Sequence, residues 1–336
     1  MTEVGPVDVV IPTVGRPSLA GLLAALGGVS GRVLVVDDRP AAGTPLDVPA
    51  RIEVLRGRAA GPAAARNVGW RAASTDWVAF LDDDVLPSAD WYDALLADLA
   101  GCREHVGGCR EDVAGSQGRV VVPLPADRRP TDWERNVAGL ARARWATADL
   151  AYRRAVLAEV GGFDERFPRA YREDADLGLR VVSAGYRIEP GRRHVQHPVR
   201  SAGPLVSVRL QRGNADDALM RALHGRDWRR RAGVPTGRRP AHLALTAAAA
   251  VGGAGVVAKR RRLATWGLTA YAVGVAELAS HRVAPGPRTA KEVVTMAATS
   301  AVLPLAATWW YVVGWVTLRR RLAAGSPPPV RVGARS

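Results

Sequence analysis

Three consecutive aspartates end an apolar run in the sequence VAFLDDDVLP, which extends from Val78 to Pro87. Carboxylates a few ångströms apart repel one another, and each raises the pKa of its neighbours unless a cation is present. Asp82, Asp83 and Asp84 therefore predict a bound cation. Oxygen ligands suit Mg²⁺ or Mn²⁺, and such ions commonly share their coordination with substrate phosphates. The triplet thus indicates a substrate that carries phosphate groups.

A second acidic cluster lies about ninety residues further on, in the sequence YREDADLGLRVV. Glu173, Asp174 and Asp176 fall in the predicted first turn of a helix. The helix macrodipole favours acidic side chains there by about 0.3–1 kcal/mol each. Helix stabilisation alone would account for this cluster, so the residues by themselves leave a purely structural role open.

Short β-rich runs alternate with helical patterns over the first hundred residues, which is typical of a mostly parallel α/β sheet with crossover helices. The predicted strands are VDVVIPT, RVLVVDD, RIEVL and DWVAFLD. Asp37 and Asp38 end the second strand, and the aspartate triplet follows the fourth. Ligands collect outside the carboxyl ends of strands in an open parallel sheet, so these acids are expected at one binding edge.

A further helix is predicted over ADLAYRRAVLAEVGGFDERF, with Gly161 and Gly162 as its C-terminal stop. Asp149 lies within this stretch and is a candidate to face an acceptor substrate. Trp70, Trp77 and Trp91 are expected in the hydrophobic core.

The 336-residue chain carries a net charge of +15, and its basic clusters lie late in the sequence beside apolar segments. Aromatic residues interleaved with arginine on a sheet are missing, so this distribution argues against nucleic acid and favours anionic lipid. Cys102 and Cys109 suit neither a disulfide framework nor a four-ligand zinc site. Since no basic stretch followed by an apolar run marks the N-terminus, the first domain is expected to start in the cytoplasm.

Two membrane spans are expected near the C-terminus, at residues 263–280 and 293–318. The second is free of formal charge, exceeds the ~20 residues that cross a bilayer, and carries aromatic residues towards one end. The weakly apolar segment 240–258 is expected to lie against the membrane face, although a third span stays open. The two-span count keeps the clusters 259–262 and 319–321 in the cytoplasm, as the positive-inside rule favours.

These patterns divide the chain into four parts. Residues 1–205 are expected to form the catalytic domain, and residues 206–240 a basic linker or interfacial helix. Residues 241–320 form a hydrophobic helical region, and residues 321–336 are expected to be a disordered tail. The protein is therefore expected at the membrane, with its catalytic domain on the cytoplasmic side.

Four sequence blocks, in this order and at this spacing, resemble the family 2 glycosyltransferases with the GT-A fold. The resemblance covers Val7 to about Pro198. It implies a Rossmann-like, mostly parallel α/β catalytic domain that transfers a sugar from a nucleotide-sugar donor, by default a UDP-sugar. The four blocks are VVIPTVGRPSL, VLVVDD, AAARNVGWRAASTDWVAFLDDDVLP and GGFDERFPRAYREDADLGLRVVSAGYRI.

The resemblance matches the triplet to the family's D-x-D motif, which implies a Mn²⁺ or Mg²⁺ site. Asp84 is the first expected ligand, while Asp82 faces the metal or the ribose. His197 is preferred to His194 as a late ligand, and a packed, non-ligating histidine is the alternative. Asp83 is grouped with the nucleotide site, although side-chain alternation along extended chain would turn it elsewhere.

Asp174 is, by the same resemblance, the general base of an inverting transfer. It would take the proton of the acceptor hydroxyl, while the metal stabilises the charge on the departing diphosphate. Arg66 could instead simply pair with a nearby carboxylate. The residues that the resemblance places around the nucleotide are Pro12, Thr13, Asp37, Asp38, Arg66, Asn67, Asp82 and Asp83.

Motifs that are missing narrow the function further. The sequence has no Walker or Rossmann glycine loop. It also lacks a Q-x-x-R-W block before the apolar region, which argues against a processive enzyme. The expected acceptor is a lipid-linked or cell-envelope molecule. A nucleotidyltransferase acting on a sugar phosphate, or an inactive membrane scaffold with a transferase fold, are the alternatives, and the oligomeric state stays open.

Overall fold

A computed structural model describes residues 4–41, 43–101, 104–105, 108–109 and 112–325. Cys102 and residues 326–336 of the expected disordered tail lie outside the described residues. The described chain forms an α/β part followed by a helical part that packs against it.

The α/β part is built on a mixed sheet that has eight strands within the described residues. Its apolar strands are buried on both faces. Its elements in chain order are β1 (Asp8–Thr13), α1 (Ser18–Ala25), β2 (Val33–Asp37), β3 (Glu53–Arg56), α2 (Pro62–Ala72), β4 (Trp77–Leu81), β5 (Leu86–Pro87), α3 (Trp91–Gly101), β6 (Glu104–His105), β7 (Gly108–Cys109), β8 (Val113–Val121), α4 (Asp132–Ala138), β9 (Asp149–Arg153), α5 (Arg154–Glu159), α6 (Glu173–Ser183) and β10 (Arg187–Gln196).

The sheet order is β3-β2-β1-β4-β9-β8-β10-β5. Strand β1 lies between β2 and β4 and is parallel to both, so the carboxyl ends of these three strands meet at one edge. Side chains alternate between two hydrophobic cores: Val10 packs on one side of the sheet, while Val9 and Ile11 pack on the other. The α/β class expected for the GT-A fold is confirmed.

The tryptophans expected in the core are buried there, with Trp70 on one side of the sheet and Trp77 and Trp91 on the other. The helix predicted to begin near Asp149 is wrong in its first part. Residues Asp149–Arg153 form β9, which pairs antiparallel with both β4 and β8. This pairing between two neighbouring strands overrides the local helical pattern, and only the short α5 remains before the glycine stop.

The helical part begins with short helices that belong to the core of the α/β part. Leu219, Met220 and Trp228 are buried in the same cluster as Val10. Residues 206–240 are predicted to be a basic linker or interfacial helix, and these three apolar side chains within them pack in the core of the α/β part. The elements are α7 (Val206–Leu210), a 3₁₀ turn (Gln211–Ala215), α8 (Asp216–His224), α9 (Trp228–Arg231), α10 (Arg239–Val257), α11 (Arg261–Val283) and α12 (Ala290–Ala323).

Two helices in the described part of the chain are long and apolar enough to cross a membrane, and they are α10 and α12. The segment 263–280 lies in α11, which is not one of the two. The segment 293–318 lies in α12. Helix α12 continues to Ala323, so the start of the expected tail is helical and not disordered. Membrane crossing itself stays a prediction.

Candidate active site

A cleft of ≈650 Å³ opens at the carboxyl ends of β1, β2 and β4. Thr13 ends β1, Asp38 follows β2, and the aspartate triplet follows β4. The opposite wall comes from α4, α6 and the end of β10. The cleft therefore brings the triplet and the second acidic cluster together, as the sequence predicted. Other lining residues are Pro12, Arg16, Arg66, Trp133, Asn136, Glu173, Asp174, His197, Arg200 and Gln211.

Each aspartate of the triplet has its own partners. Asp82 accepts a hydrogen bond from Arg66 at 2.7 Å. Asp83 accepts one from the Thr13 hydroxyl at 2.6 Å and pairs with Arg16. The repulsion among the three carboxylates is thus offset by basic and hydroxyl groups from separate elements.

Asp83 does not point away from the cleft, although side-chain alternation predicted it would. The chain leaves its extended conformation after β4 and turns at Asp83 and Asp84. The period of two holds only for extended chain, so it does not apply across this turn. All three carboxylates line the cleft.

Asp84 faces the end of β10. Its carboxylate lies 3.4 Å from His197 Nε2 and 3.1 Å from Arg200 Nε. Burial raises the pKa of Asp84, and the nearby His197 opposes that shift. Opposite His197, the His194 side chain is exposed on the other face of the strand. Of the two histidines, only His197 is placed to share a ligand with Asp84.

The fit of a divalent cation rests on this pair. Carboxylate oxygen and imidazole nitrogen are donors that Mn²⁺ accepts. His197 is buried, and its Nδ1 has no hydrogen-bond partner among the described residues. No cluster of three His, Cys, Asp or Glu side chains that could hold a metal occurs within that part of the chain, and Asp82 is hydrogen-bonded to Arg66. Asp84 and His197 thus offer two donor groups of the kinds that such a cation accepts.

The two aspartates at the end of β2 have different surroundings. Asp37 pairs with Arg39 at 2.7 Å and Arg56 at 3.4 Å, and the Arg39 hydrogen bond lowers its pKa. Asp38 lines the cleft and accepts a hydrogen bond from the Gly61 backbone at 2.9 Å. Its Oδ1 is buried without a partner in the described chain. Of the two candidates, Asp38 is the one that presents an open acceptor to a ligand.

Asn67 does not face the cleft, although the resemblance placed it beside the nucleotide. Its amide accepts from Trp70 Nε1 at 2.8 Å and from the Phe163 backbone at 2.9 Å, and it donates to the Phe163 carbonyl at 2.8 Å. Asn67 thus joins α2 to the segment after α5. The one-residue step from Arg66 along a helix turns it to another face.

Arg66 connects the two acidic clusters. The buried guanidinium donates to Asp82 at 2.7 Å and to Glu173 at 3.0 Å, and it lies 5.5 Å from the Phe163 ring centroid. Sequence reasoning considered carboxylate pairing for Arg66 but not a bridge between clusters. Residues about a hundred positions apart meet here only through the fold.

The three carboxylates of the second acidic cluster have different surroundings. Asp174 is half-buried in the cleft wall, and burial raises its pKa. Burial, with Asp174 next to it, raises the pKa of Glu173 to about 8. Asp176 instead pairs with Arg180 at 2.6 Å and His224 at 2.7 Å inside the domain. Glu173 and Asp174 line the cleft, whereas Asp176 does not.

Asp149 lies away from the cleft, although it was considered for the acceptor side. It is fully buried, accepting from Trp91 Nε1 at 2.9 Å and Arg193 Nε at 2.8 Å. Arg16 and Arg200 are cleft residues that the sequence reasoning missed. The sequence signal that could have identified them is their position just beyond a strand end. Arg16 lies three residues after Thr13, and Arg200 lies three residues after His197.

A family match covers the first three of the four sequence blocks. Residues 8–152 match the family model Glycosyl transferase family 2. Pre-mycofactocin glycosyltransferase from Mycobacterium tuberculosis is 34% identical over 192 residues, in both the CDC 1551 and H37Rv strains. That match covers 54% of this chain and 40% of the relative.

Two solved structures are similar to part of this chain at TM-scores below 0.5. GalNAc-T7 with UDP, GalNAc and Mn²⁺ has a TM-score of 0.47 at 15% identity, covering 70% of this chain and 55% of that one. The glucosyl-3-phosphoglycerate synthase of M. tuberculosis has a TM-score of 0.43 at 16% identity, covering 69% of this chain and 82% of that one. Residues 8–152 therefore match the glycosyl transferase family 2 model, and they include most of the strands of the mixed sheet that lines the cleft.

Proposed function

We propose that this protein transfers one sugar from a nucleotide donor, by default a UDP-sugar, to an acceptor hydroxyl with inversion at the anomeric carbon. One observation carries the proposal: Asp84 and Asp174 line the same cleft. Arg66 joins their neighbours Asp82 and Glu173. A site for a diphosphate and a site for a proton acceptor are thus fixed relative to one another.

The donor side lies along β1, β2 and β4. The open Oδ1 of Asp38 is a hydrogen-bond acceptor that suits a base or ribose donor group. Asp84 and His197 would hold Mn²⁺ or Mg²⁺, which supplies charge stabilisation to the leaving diphosphate. Arg16 and Arg200 line the same cleft and would draw the phosphates in by charge.

Asp174 is the proposed general base. A base must reach the acceptor hydroxyl, and Asp174 lines the cleft while Glu173 is nearly inaccessible. The raised pKa of Asp174 increases its proton affinity, which favours proton transfer from a hydroxyl. Glu173 acts as a positioning residue that holds Arg66.

The acceptor side supports a membrane-linked acceptor. A second pocket of ≈170 Å³ shares Trp133, Asn136, Leu210 and Gln211 with the catalytic cleft, and Leu303 of α12 also lines it. An acceptor entering from the helical part would therefore reach Asp174 along this route. We propose a lipid-linked or cell-envelope acceptor, with the catalytic domain on the cytoplasmic face of the membrane and non-processive transfer.

The test is turnover of UDP-sugars by the purified full chain with Mn²⁺, with the anomeric configuration of the product followed by NMR. The proposal predicts metal-dependent release of UDP and a product of inverted configuration. Asp93, an exposed carboxylate on α3, provides the control variant Asp93→Asn. Retention of configuration would overturn the mechanism. Pyrophosphate release from a nucleoside triphosphate and a sugar phosphate would favour a nucleotidyltransferase, and no reaction with any donor would favour an inactive scaffold.

A further inference from the structure

Helix α12 is attached to the α/β part near both of its ends. Near its start, Glu292 accepts from the Asp132 backbone at 2.8 Å. Near its end, Arg321 pairs with Asp216 at 2.6 Å and donates to the Arg166 carbonyl at 2.8 Å. The contacts at Glu292 and Arg321 are ~44 Å apart along the axis at 1.5 Å per residue. A helix that crosses a bilayer cannot touch the same water-soluble domain at both ends.

Contacts between these ends leave no free stretch long enough to cross. Leu303 lines the pocket beside Asn136, and Trp310 lies 5.6 Å from the guanidinium of Arg212. Gly314 packs so closely on Ala215 that a Cβ would come within 2.5 Å of its carbonyl oxygen. Leu318 packs against the hydrophobic core of the α/β part. Crossing needs ~20 residues within hydrocarbon, which these contacts exclude.

The opposite face of α12 is an unbroken apolar stripe. Its members follow one another at steps of three or four residues, the spacing of one helix face. Trp309 is 63% exposed and Val316 is 76% exposed. The stripe consists of Val302, Leu305, Trp309, Val312 and Val316.

The hairpin formed by α10 and α11 is too short to cross a bilayer as long as α12 remains packed against the α/β part. Thr246 of α10 bonds to Thr308 of α12 at 2.9 Å, and Tyr271 of α11 bonds to the Ala301 carbonyl. Beyond these contacts, residues 247–257 extend ~16 Å at 1.5 Å per residue, about half of the ~30 Å hydrocarbon thickness. The exposed turn at residues 259–262 carries four basic side chains. If the hairpin crossed the membrane, these side chains would lie on the non-cytoplasmic side, which the positive-inside rule disfavours.

From these contacts we infer that α12 lies in the plane of a membrane surface and that no helix of α10–α12 crosses it. The stripe faces the acyl chains, and the exposed Arg319, Arg320 and residues 259–262 contact anionic headgroups. A basic, apolar surface matches an anionic bilayer and not a second copy of this equally basic chain, which would repel it. The inference rests on the proposed membrane attachment and changes its geometry.

Flotation with vesicles tests the surface. Full-length protein is expected to float with vesicles of 70% phosphatidylcholine and 30% phosphatidylglycerol, and at least tenfold less with phosphatidylcholine alone. Trp309→Gln/Val316→Gln is expected to lose at least tenfold in bound fraction. The control Val54→Gln/Leu124→Gln changes two exposed apolar residues of the α/β part and keeps binding. UDP release in detergent is measured in parallel, so failure of the catalytic proposal is seen separately.

Cysteine labelling tests the topology. Single cysteines replace Asp93, Arg260 and Lys291, all exposed, in a chain with Cys102→Ser and Cys109→Ser. All three are expected to react with an impermeant maleimide in inverted inner-membrane vesicles and none in intact spheroplasts. Reaction of the Arg260 or Lys291 position in spheroplasts would establish a crossing and overturn the inference. Two results with Trp309→Gln/Val316→Gln would also overturn the inference. One is flotation equal to that of the wild-type protein. The other is a wild-type dimer that this variant converts to a monomer.

Discussion

The two acidic clusters of the cleft are built in opposite ways. In the Asp82–Asp84 turn, each carboxylate has a basic partner: Arg66, Arg16, or His197 with Arg200. At the start of α6, Arg66 is the ion-pair partner that reaches Glu173. Burial is the first cause of the raised pKa values of Glu173 and Asp174. Burial also raises the pKa of Asp84, but His197 and Arg200 oppose that shift, so the two clusters differ in how many basic groups offset the burial of their carboxylates.

This contrast shows why one cleft needs two acidic clusters. A carboxylate that binds a metal must stay charged, whereas a general base must take a proton from an alcohol. Neighbouring carboxylates in one environment cannot have both properties, so the fold separates them and connects them through Arg66. The predictions below test that division.

The largest effect is expected from Asp174→Asn, which removes the proton acceptor but keeps the shape of the cleft. Transfer should fall on the order of 10³–10⁴-fold, at the upper end of what general-base catalysis contributes. The residual activity should also lose the acidic limb of the pH–rate profile. Steady-state kinetics measure both. Activity within tenfold of wild type would exclude Asp174 as the base.

Arg66→Met should reduce the free energy of unfolding by about 3 kcal/mol, since removing one member of a buried ion pair leaves its partner charged and buried. Urea denaturation at pH 8.5, above the pKa of Glu173, measures this loss. The double variant Arg66→Met/Glu173→Gln should recover part of it, because the uncompensated carboxylate is gone. A loss that is equal in the single and double variants would show that the bridge to Glu173 contributes little.

Asp84→Asn should weaken Mn²⁺-dependent UDP binding on the order of 10²-fold, as one charged group that positions the diphosphate is lost. Titration calorimetry with and without Mn²⁺ measures the difference. The control is Asp93→Asn, an exposed carboxylate on α3 away from the cleft. If the control weakened binding as much as Asp84→Asn, the assignment of the metal site would fail.

The last prediction concerns the pH dependence of stability. The folded-state pKa of Glu173 is raised to about 8 from 4.5, so the folded protein holds this proton longer than the unfolded chain. Stability is therefore unaffected below about pH 4.5 and falls as the pH rises towards 8, by at most about 1.4 kcal/mol per pH unit. Glu173→Gln should flatten that slope in urea denaturation from pH 5 to 8. An unchanged slope would contradict the raised pKa.

The sequence predicted the strands β1, β2 and β4 and the acids at their ends, because buried strands followed by carboxylates form a strong local pattern. It also predicted α6, whose apolar positions follow the helical period. It did not predict β9, since only pairing with β4 and β8 makes Asp149–Arg153 extended. Pairings across the sheet carry no local signal.

For the site residues too, the sequence predicted the features that depend on local motifs and not those that depend on contacts between distant elements. Asp84, Asp174 and His197 line the cleft as their motifs suggested, although their chemical roles stay predictions. The inward turn of Asp83, the outward turn of Asn67 and the Arg66 bridge depend on rotations that neighbouring elements impose. In the segment 206–240 the basic charge is visible in the sequence, whereas the burial of Leu219, Met220 and Trp228 is seen only in the structure.

The most direct test of the division between clusters is an electron paramagnetic resonance titration of Mn²⁺ in the presence of UDP. The account predicts one tightly bound Mn²⁺ in wild type and in Asp174→Asn, and none in Asp84→Asn. Bound Mn²⁺ that disappears in Asp174→Asn but persists in Asp84→Asn would contradict it.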